Sequence, residues 1–312
     1  MTTKLLFDTD PGVDDAMALL LALASPEITL LGVTTVFGNH AVAQTTRNAL
    51  RVLEIVGRAD VPVLAGAAGP LVRPRREHVT FIHGVDGLGG DVPDTVERTP
   101  ATWPGGAAGF IVDTARAHPG EVTLVAVGPL TNLALALLLE PRLPRLVRQV
   151  IVMGGAVMVP GNASPVAEAN LISDPEAAAR VMGAGWPVVL VGLDVTLQTL
   201  MSAGYLRDLT GAGTPAAAFI GRIVPIYFDF YTGRVGLPGL PTHDPSAVAY
   251  ALEPGLFQVE RVRLHVETEG RCAGQTVAAR RPHHWPDLPE VDVCLGVDSA
   301  RLLALFRERL GG

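Results

Sequence analysis

The most constraining feature of this chain is the form of its apolar runs. At residues 4–7, 29–37, 61–65, 122–127, 149–153 and 187–191 they are short and largely continuous. A strand with one wet face alternates apolar and polar side chains, whereas a strand apolar along its length is covered on both faces. Between these runs lie longer segments with helical spacing, at 14–25, 41–57, 105–117, 130–139 and 175–183. Strands alternating with helices predict an α/β fold, an open, mostly parallel sheet with helices on both faces. Residues 200–231 are mostly helical in pattern, and 244–252 and 299–310 read as further helices. Residues 257–267 and 275–279 alternate instead, which predicts a small antiparallel addition toward the C-terminal end.

In open α/β sheets ligands bind outside the carboxyl ends of the strands. Three segments rich in Gly and Pro, 64–104, 154–174 and 233–245, are placed to reach that edge. The first strand itself ends in Phe7-Asp8-Thr9-Asp10-Pro11-Gly12-Val13-Asp14-Asp15, which puts Asp8, Asp10, Asp14 and Asp15 where a buried strand turns into a helix. Uncompensated, these carboxylates would repel one another and their pKa values would rise. A bound cation removes that penalty, and oxygen donors with no adjacent His or Cys select a hard ion such as Ca²⁺ or Mg²⁺. Helix capping alone would account for one or two of the acids. An EF-hand is excluded: counting from Asp8, the fifth position is Gly12 and the twelfth is Leu19, where a Glu ligand is required.

Two rivals share this cluster. A Mg²⁺-dependent phosphatase also places Asp-x-Asp after a first strand, but needs a downstream lysine for the phosphoryl group. The single lysine here is Lys4, which precedes the strand. A non-catalytic, metal-dependent binding protein would keep side chains that hold a small ligand and dispense with an acid or a base. Walker-type nucleotide binding is unsupported, because no Gly-Lys-Ser/Thr occurs.

Composition narrows the partners. The chain has 312 residues, enough for one large domain or two moderate ones; it is 48% hydrophobic and 18% charged, so a sizeable core is assured. A net charge of −7 argues against binding nucleic acid phosphates or anionic membranes. No apolar run approaches the roughly 20 residues of a membrane helix. Two cysteines, Cys272 and Cys294, make no disulfide framework, and the chain opens without a secretory pattern, so a cytoplasmic protein is expected.

Further polar islands fall at the same predicted edge. Asn39 follows the second strand. His83 lies in the glycine-rich stretch His83-Gly84-Val85-Asp86-Gly87-Leu88-Gly89-Gly90, read as a mobile loop able to close on a substrate. The last carbonyls of the strand before Gly128-Pro129-Leu130-Thr131-Asn132 are possible metal ligands. Asn162, Glu168 and Asn170 suit sugar hydroxyls, which both donate and accept. Asp174 reads as a helix cap. In Pro241-Thr242-His243-Asp244-Pro245, Asp244 reads as an N-cap and as a distant carboxylate for the metal site, and His243 as a general acid or base. Tyr227 and Tyr231, four apart on one helix face, could meet a planar base, although that spacing more often serves a core.

Taken together these islands resemble the inosine–uridine-preferring nucleoside hydrolases. Asp8-Thr9-Asp10-Pro11-Gly12-Val13-Asp14-Asp15-Ala16 is similar to the N-terminal signature of that family over its full length. His83-Gly84 with Asp86-Gly87-Leu88, Gly128-Pro129-Leu130-Thr131-Asn132, Met153-Gly154-Gly155, Gly161-Asn162, Glu168-Ala169-Asn170, Asp174-Pro175-Glu176-Ala177 and His243-Asp244-Pro245 follow in the family's order. The resemblance implies a Rossmann-like nucleoside hydrolase fold over a single domain, 1–312, and hydrolysis of ribonucleosides to base and ribose. It implies Ca²⁺ held by Asp10, Asp15, the Val127 carbonyl and Asp244, with Asp10 also the general base. Asp14, Asn39, Met153, Asn162, Glu168 and Asn170 would hold the ribose. His243 would assist the leaving base, with His83, Tyr227 and Tyr231 on the same side. A homodimer or homotetramer, small-molecule substrates and a role in purine and pyrimidine salvage follow from the same resemblance. His243 with the two tyrosines favours the purine-and-pyrimidine group over the purine-only group, which relies on tryptophans; Trp103, Trp186 and Trp285 are not at the matching positions. One departure is Ala169, where well-known members carry a bulkier aromatic.

Overall fold

Nine strands join one sheet in the computed structural model, which describes residues 2–77, 80–90, 96–281 and 283–312. The continuous apolar runs supply the parallel part: β1 (Thr3–Thr9), β2 (Ile28–Thr35), β3 (Val63–Ala65), β4 (Val122–Ala126), β5 (Gln149–Met153) and β6 (Val188–Val191). A two-stranded pair, β7 (Leu200–Met201) and β8 (Leu240–Pro241), stands apart. The expected antiparallel addition consists of β9 (Phe257–Val266) and β10 (Thr276–Ala279), joined by β11 (Glu290–Val297). Residues 290–297, unassigned from sequence, insert parallel to β6 and antiparallel to β9. The addition therefore continues the main sheet rather than lying beside it.

The spatial order is β10-β9-β11-β6-β5-β4-β1-β2-β3. The chain lays β2 and β3 to one side of β1, then returns to place β4 on the other. The β1–β4 boundary is thus the topological switch point, where loops diverge and leave a crevice at the carboxyl ends.

Helices cover both faces. They are α1 (Val13–Leu23), α2 (Val42–Ile55), α3 (Thr80–His83), α4 (Gly106–Ala117), α5 (Thr131–Leu139), α6 (Ala169–Ser173), α7 (Pro175–Met182), α8 (Leu193–Thr196), α9 (Ala203–Thr210), α10 (Pro215–Asp229), α11 (His243–Leu252) and α12 (Ser299–Leu310). Residues Phe230–Val235 continue α10 as a π-helical turn. Strand side chains alternate between two cores. Leu5, Phe7 and Val125 join α1, α2, α10, α11 and α12 on one face, while Leu6, Leu124 and Ala126 join α4, α5 and α7 on the other. Helix α1 is buried all round, from Val13 to Ala22, because α10, α11 and α12 pack over it against the sheet. Its amino end, with two aspartates, therefore sits inside the protein. Among the described residues no helix is long and apolar enough to cross a membrane.

Candidate active site

The acid loop begins where β1 stops. Asp10-Pro11-Gly12 turns the chain, Gly12 is the N-cap of α1, and Asp14 and Asp15 occupy the first turn, where the helix dipole favours negative charge. The Asp15 carboxylate is oriented by four donors: the Thr9 hydroxyl at 2.6 Å, the Asp10 and Gly12 amides at 3.1 and 2.9 Å, and Asn39 Nδ2 at 3.0 Å. Asp10 Oδ2 accepts the Asn39 amide at 2.6 Å, and Asp14 Oδ2 accepts the Tyr227 hydroxyl at 2.8 Å. Their other oxygens, Asp10 Oδ1 and Asp14 Oδ1, are buried with no hydrogen-bond partner. Gly38 and Gly128 close in on Asp10 from both sides; a Cβ at either position would collide with its carboxylate.

The fourth acid comes from far along the chain. Asp244 was expected to cap α11, but Thr242 is the N-cap, its carbonyl accepting the Ser246 amide at 3.3 Å. Asp244 is the second residue of the helix, buried, and oxygens of Asp14, Asp15 and Asp244 lie within 4.8 Å of one another. Burial pushes Asp10 and Asp244 well above the ordinary carboxylate range, and their acidic neighbours push further. Burial likewise raises Asp14 to about 6 and raises Asp15, with Asp14 adding to the latter. Among the described residues no lysine or arginine forms an ion pair with these four; His83 Nδ1 is 3.9 Å from Asp14. Burial lowers His83 to about 4, so it is neutral at pH 7. Unpartnered buried oxygens, an all-oxygen donor set and mutual repulsion fit a hard divalent cation.

Asp8 also leaves one buried oxygen, Oδ2, unpartnered, but its other oxygen is engaged by neighbours across the sheet. Oδ1 accepts the Thr34 hydroxyl at 2.5 Å and Asn132 Nδ2 at 2.7 Å. Asn132 also donates to the Thr35 carbonyl at 3.0 Å and accepts the Ala67 amide at 2.9 Å, tying α5 to β1, β2 and the loop after β3. Asn132→Leu strands these groups and is expected to cost about 2–3 kcal/mol, read as a lower urea midpoint; an unchanged midpoint would contradict that structural role.

Residues predicted to hold a sugar gather at the ends of β4 and β5. Asn170 Nδ2 donates to the Val127 carbonyl at 2.8 Å and to the Met153 carbonyl at 3.2 Å. Glu168 caps α6, its carboxylate accepting the amides of Asn170, Leu171 and Gly155 at 2.8, 3.2 and 3.0 Å. Burial raises it to about 7 despite those bonds, and Asp14 lies within its electrostatic reach. Asn39 bridges Asp10 and Asp15. Asn162 is the outlier: it is exposed, and its Oδ1 accepts the amide of the exposed Ala169 at 3.0 Å.

Opposite them runs an arc of rings. His83 ends α3 and is buried, its Nδ1 accepting the Val13 amide at 3.2 Å. It packs against Tyr227 (centroids 5.2 Å apart), Tyr227 against Tyr231 (4.9 Å), and Tyr231 against His243 (5.6 Å). Tyr227 ends in the α-helical part and Tyr231 in the π-helical turn, an irregularity common at functional sites. His243 Nε2 meets the Tyr231 hydroxyl at 2.8 Å, and Nδ1 meets the Thr196 hydroxyl at 2.8 Å. Burial lowers His243 to about 3, leaving a neutral ring able to pass a proton between two hydroxyls. The tryptophans lie elsewhere: Trp186 is buried and donates to the Val181 carbonyl, Trp103 donates to Asp113, and Trp285 packs on His265.

Thr9, Thr196, Asn48 and Asn132 serve the site without having been singled out from sequence. Thr9, inside the acid segment, and Asn132, inside the Gly128–Asn132 island, carried a signal; Thr196 and Asn48 did not. Lys4, which a phosphatase would need, pairs with Glu121 at 2.8 Å near the start of β1, at the opposite end of the strand from the acids.

Residues 5–304 match the family model described as inosine-uridine preferring nucleoside hydrolase. A relative from Arabidopsis thaliana, described as "Probable uridine nucleosidase 2", is 38% identical, the match covering 98% of this chain and 97% of the relative. A solved plant nucleoside hydrolase superposes with a TM-score of 0.96 at 34% identity, covering all of both chains. A purine-preferring ribonucleoside hydrolase from Gardnerella vaginalis gives 0.93 at 34% identity, over 99% of this chain and 98% of that one.

Proposed function

The chain belongs to the inosine-uridine preferring nucleoside hydrolase family and is an enzyme that hydrolyses N-glycosyl bonds, and from that premise we propose that it converts ribonucleosides, inosine and uridine among them, to free base and ribose with Ca²⁺ as its cofactor. The observation that carries this reading is the buried cluster of Asp14, Asp15 and Asp244 at the switch point, with buried Asp10 beside it and with Asp10 Oδ1 and Asp14 Oδ1 unpartnered. Asp10, Asp15, the Val127 carbonyl and Asp244 would hold the ion. When bound there, Ca²⁺ supplies the positive charge that keeps the carboxylates ionised, acidifies a water and orients a sugar diol.

The chain's own residues do the rest. Asp10 takes the proton of the attacking water, with Asn39 fixing its carboxylate through a 2.6 Å amide bond. Asp14, Asn39, Asn162, Glu168 and Asn170 bind the ribose hydroxyls, Met153 packs beneath the ring, and the surrounding negative charge favours the oxocarbenium-like transition state. The departing base gains electron density, and His243 would assist it through the Tyr231 hydroxyl, which meets its Nε2 and can hydrogen-bond the base. His83 and Tyr227 line the base side. Residues 1–312 act as one domain in this reading, because Asp10 and Asp244 stand near opposite ends of the sequence. A homo-oligomer, dimer or tetramer, is proposed, with exposed Trp103, Leu138 and Leu139 as apolar surface for a second copy. A cytoplasmic salvage role fits free Cys272 and Cys294 and a small substrate, with neither nucleic acid nor membrane as partner.

A reducing-sugar assay tests the reaction. Ribose release from inosine and uridine is expected, with 2′-deoxyinosine slower by on the order of 10²-fold in kcat/KM, the worth of one or two charge-assisted hydrogen bonds. Equal turnover of inosine and 2′-deoxyinosine would sink the proposed role of the 2′ hydroxyl.

A further inference from the structure

One side chain ties the His83 turn to the acid loop. It is Asn48 of α2, wholly buried. Its Nδ2 donates to the Pro11 carbonyl at 3.0 Å and to the Asp86 carbonyl at 2.8 Å. Its Oδ1 accepts from Gln44 Nε2 at 3.0 Å and from Arg51 Nη1 at 3.4 Å. Two donated and two accepted bonds exhaust an amide side chain, and only this orientation satisfies them. Flipped, the amide oxygen would face two carbonyls.

Both anchored carbonyls matter to the site. Pro11 lies between Asp10 and Gly12. Asp86 organises the turn after His83: its Oδ1 accepts the Leu88 and Gly90 amides at 2.9 and 2.7 Å, and its Oδ2 meets Arg51 at 3.4 Å. The next residue, Gly87, has φ +78°, and a Cβ there would sit 2.8 Å from Asn48 Nδ2. The approach of Asn48 to the turn thus requires glycine at that position. His83 then returns to the acid loop by accepting the Val13 amide. Pro11, Asn48, Asp86, His83 and Val13 form a closed circuit, in which Asn48 is the bridge between the segment bearing Asp10 and the segment bearing His83.

We propose that Asn48 is a positioning residue for hydrolysis, holding the Asp10–Gly12 turn and the His83 turn in one register so that the sugar-side and base-side groups face the same substrate. Its kinetic consequence rests on the nucleoside hydrolase reading; its structural consequence does not. Asn48→Leu keeps the volume and removes all four bonds, and Asn48→Ser is a milder change should the first fail to fold. In the Ca²⁺-supplemented enzyme without substrate, hydrogen exchange is expected to speed up jointly in residues 10–15 and 83–90, with β1, β4 and β5 unchanged. Turnover of inosine is expected to fall by on the order of 10²-fold, the cost of misplacing a reacting group by about 1 Å. In a His83→Ala background the same substitution should cost much less, because the two residues act on one geometry. Unchanged exchange in both segments overturns the proposal, as does acceleration spread evenly over the sheet. An undiminished rate loss in the His83→Ala background also overturns it. If the wild-type enzyme releases no ribose, the functional reading fails, and the exchange measurement still decides whether Asn48 is the tie.

Discussion

Asp10→Ala is expected to lower kcat for inosine and uridine by roughly 10⁴-fold, the upper end of what one positioned acid–base group contributes, while leaving the sheet intact. Two structural facts support that size. Asp10 Oδ1 is buried and unpartnered, so it is free to take a proton, and Gly38 and Gly128 crowd the carboxylate so closely that it has no other place to go. The fold should tolerate the loss. Asp10 is buried near Asp14, Asp15 and Asp244, and among the described residues the one bond its carboxylate loses is that from the Asn39 amide. Without a divalent cation its ionised form opposes folding, so the variant should melt no lower than the wild type in chelator. Asp10→Asn, nearly isosteric, separates loss of charge from loss of volume. Ribose release and thermal unfolding, measured with and without Ca²⁺, check both halves; turnover retained in either variant would refute the role of Asp10.

Removal of the cation should act on rate and stability together. Excess EGTA is expected to bring ribose release down to background, and Ca²⁺ in excess of the chelator to restore it. Four carboxylates with no lysine or arginine among their described partners leave a cation as their only counter-charge. An ion at a hundred times its dissociation constant adds about 2.7 kcal/mol to the folded state, which appears as a lower melting temperature after chelation. Full turnover in EGTA would overturn the cation assignment. Equal rescue by Mg²⁺ would overturn the choice of Ca²⁺ while leaving the cluster's purpose in place.

Much of the fold is legible in the sequence because parallel strands covered on both faces need unbroken apolar runs. The strands β1, β4, β5 and β6 announce themselves that way. β11 does not: Glu290 and Asp292 interrupt it, and it is a strand because β6 and β9 offer it two edges, with Val291 and Val293 facing the core. In α11 the sequence points to a cap two residues too late, since Thr242 and Asp244, both before Pro245, are capable of capping. The candidate site divides along the same line. Asp10, Asp14 and Asp15 are neighbours in sequence, so their common purpose is visible there. Thr196 and Asn48 are ordinary helix residues whose partners lie 47 and 37 positions away, and only tertiary structure makes them neighbours of His243 and Pro11. The glycines around His83 suggest mobility in sequence; in the structure the turn they form is pinned by Asp86 and Asn48, and His83 is buried.

The packing of α1 against α11 has a consequence for the history of each molecule. Tyr227 meets Asp14 across 213 residues of chain, and Asp244 arrives later still. Bringing such distant segments together requires a long loop to close before any contact rewards it. Until the last third of the protein docks, the Asp-rich turn lacks both the Tyr227 hydroxyl and the fourth carboxylate, Asp244. The centre is in that sense a record of completed assembly: any opening that lifts α11 from α1 removes Asp244 and leaves the three local carboxylates without their fourth partner.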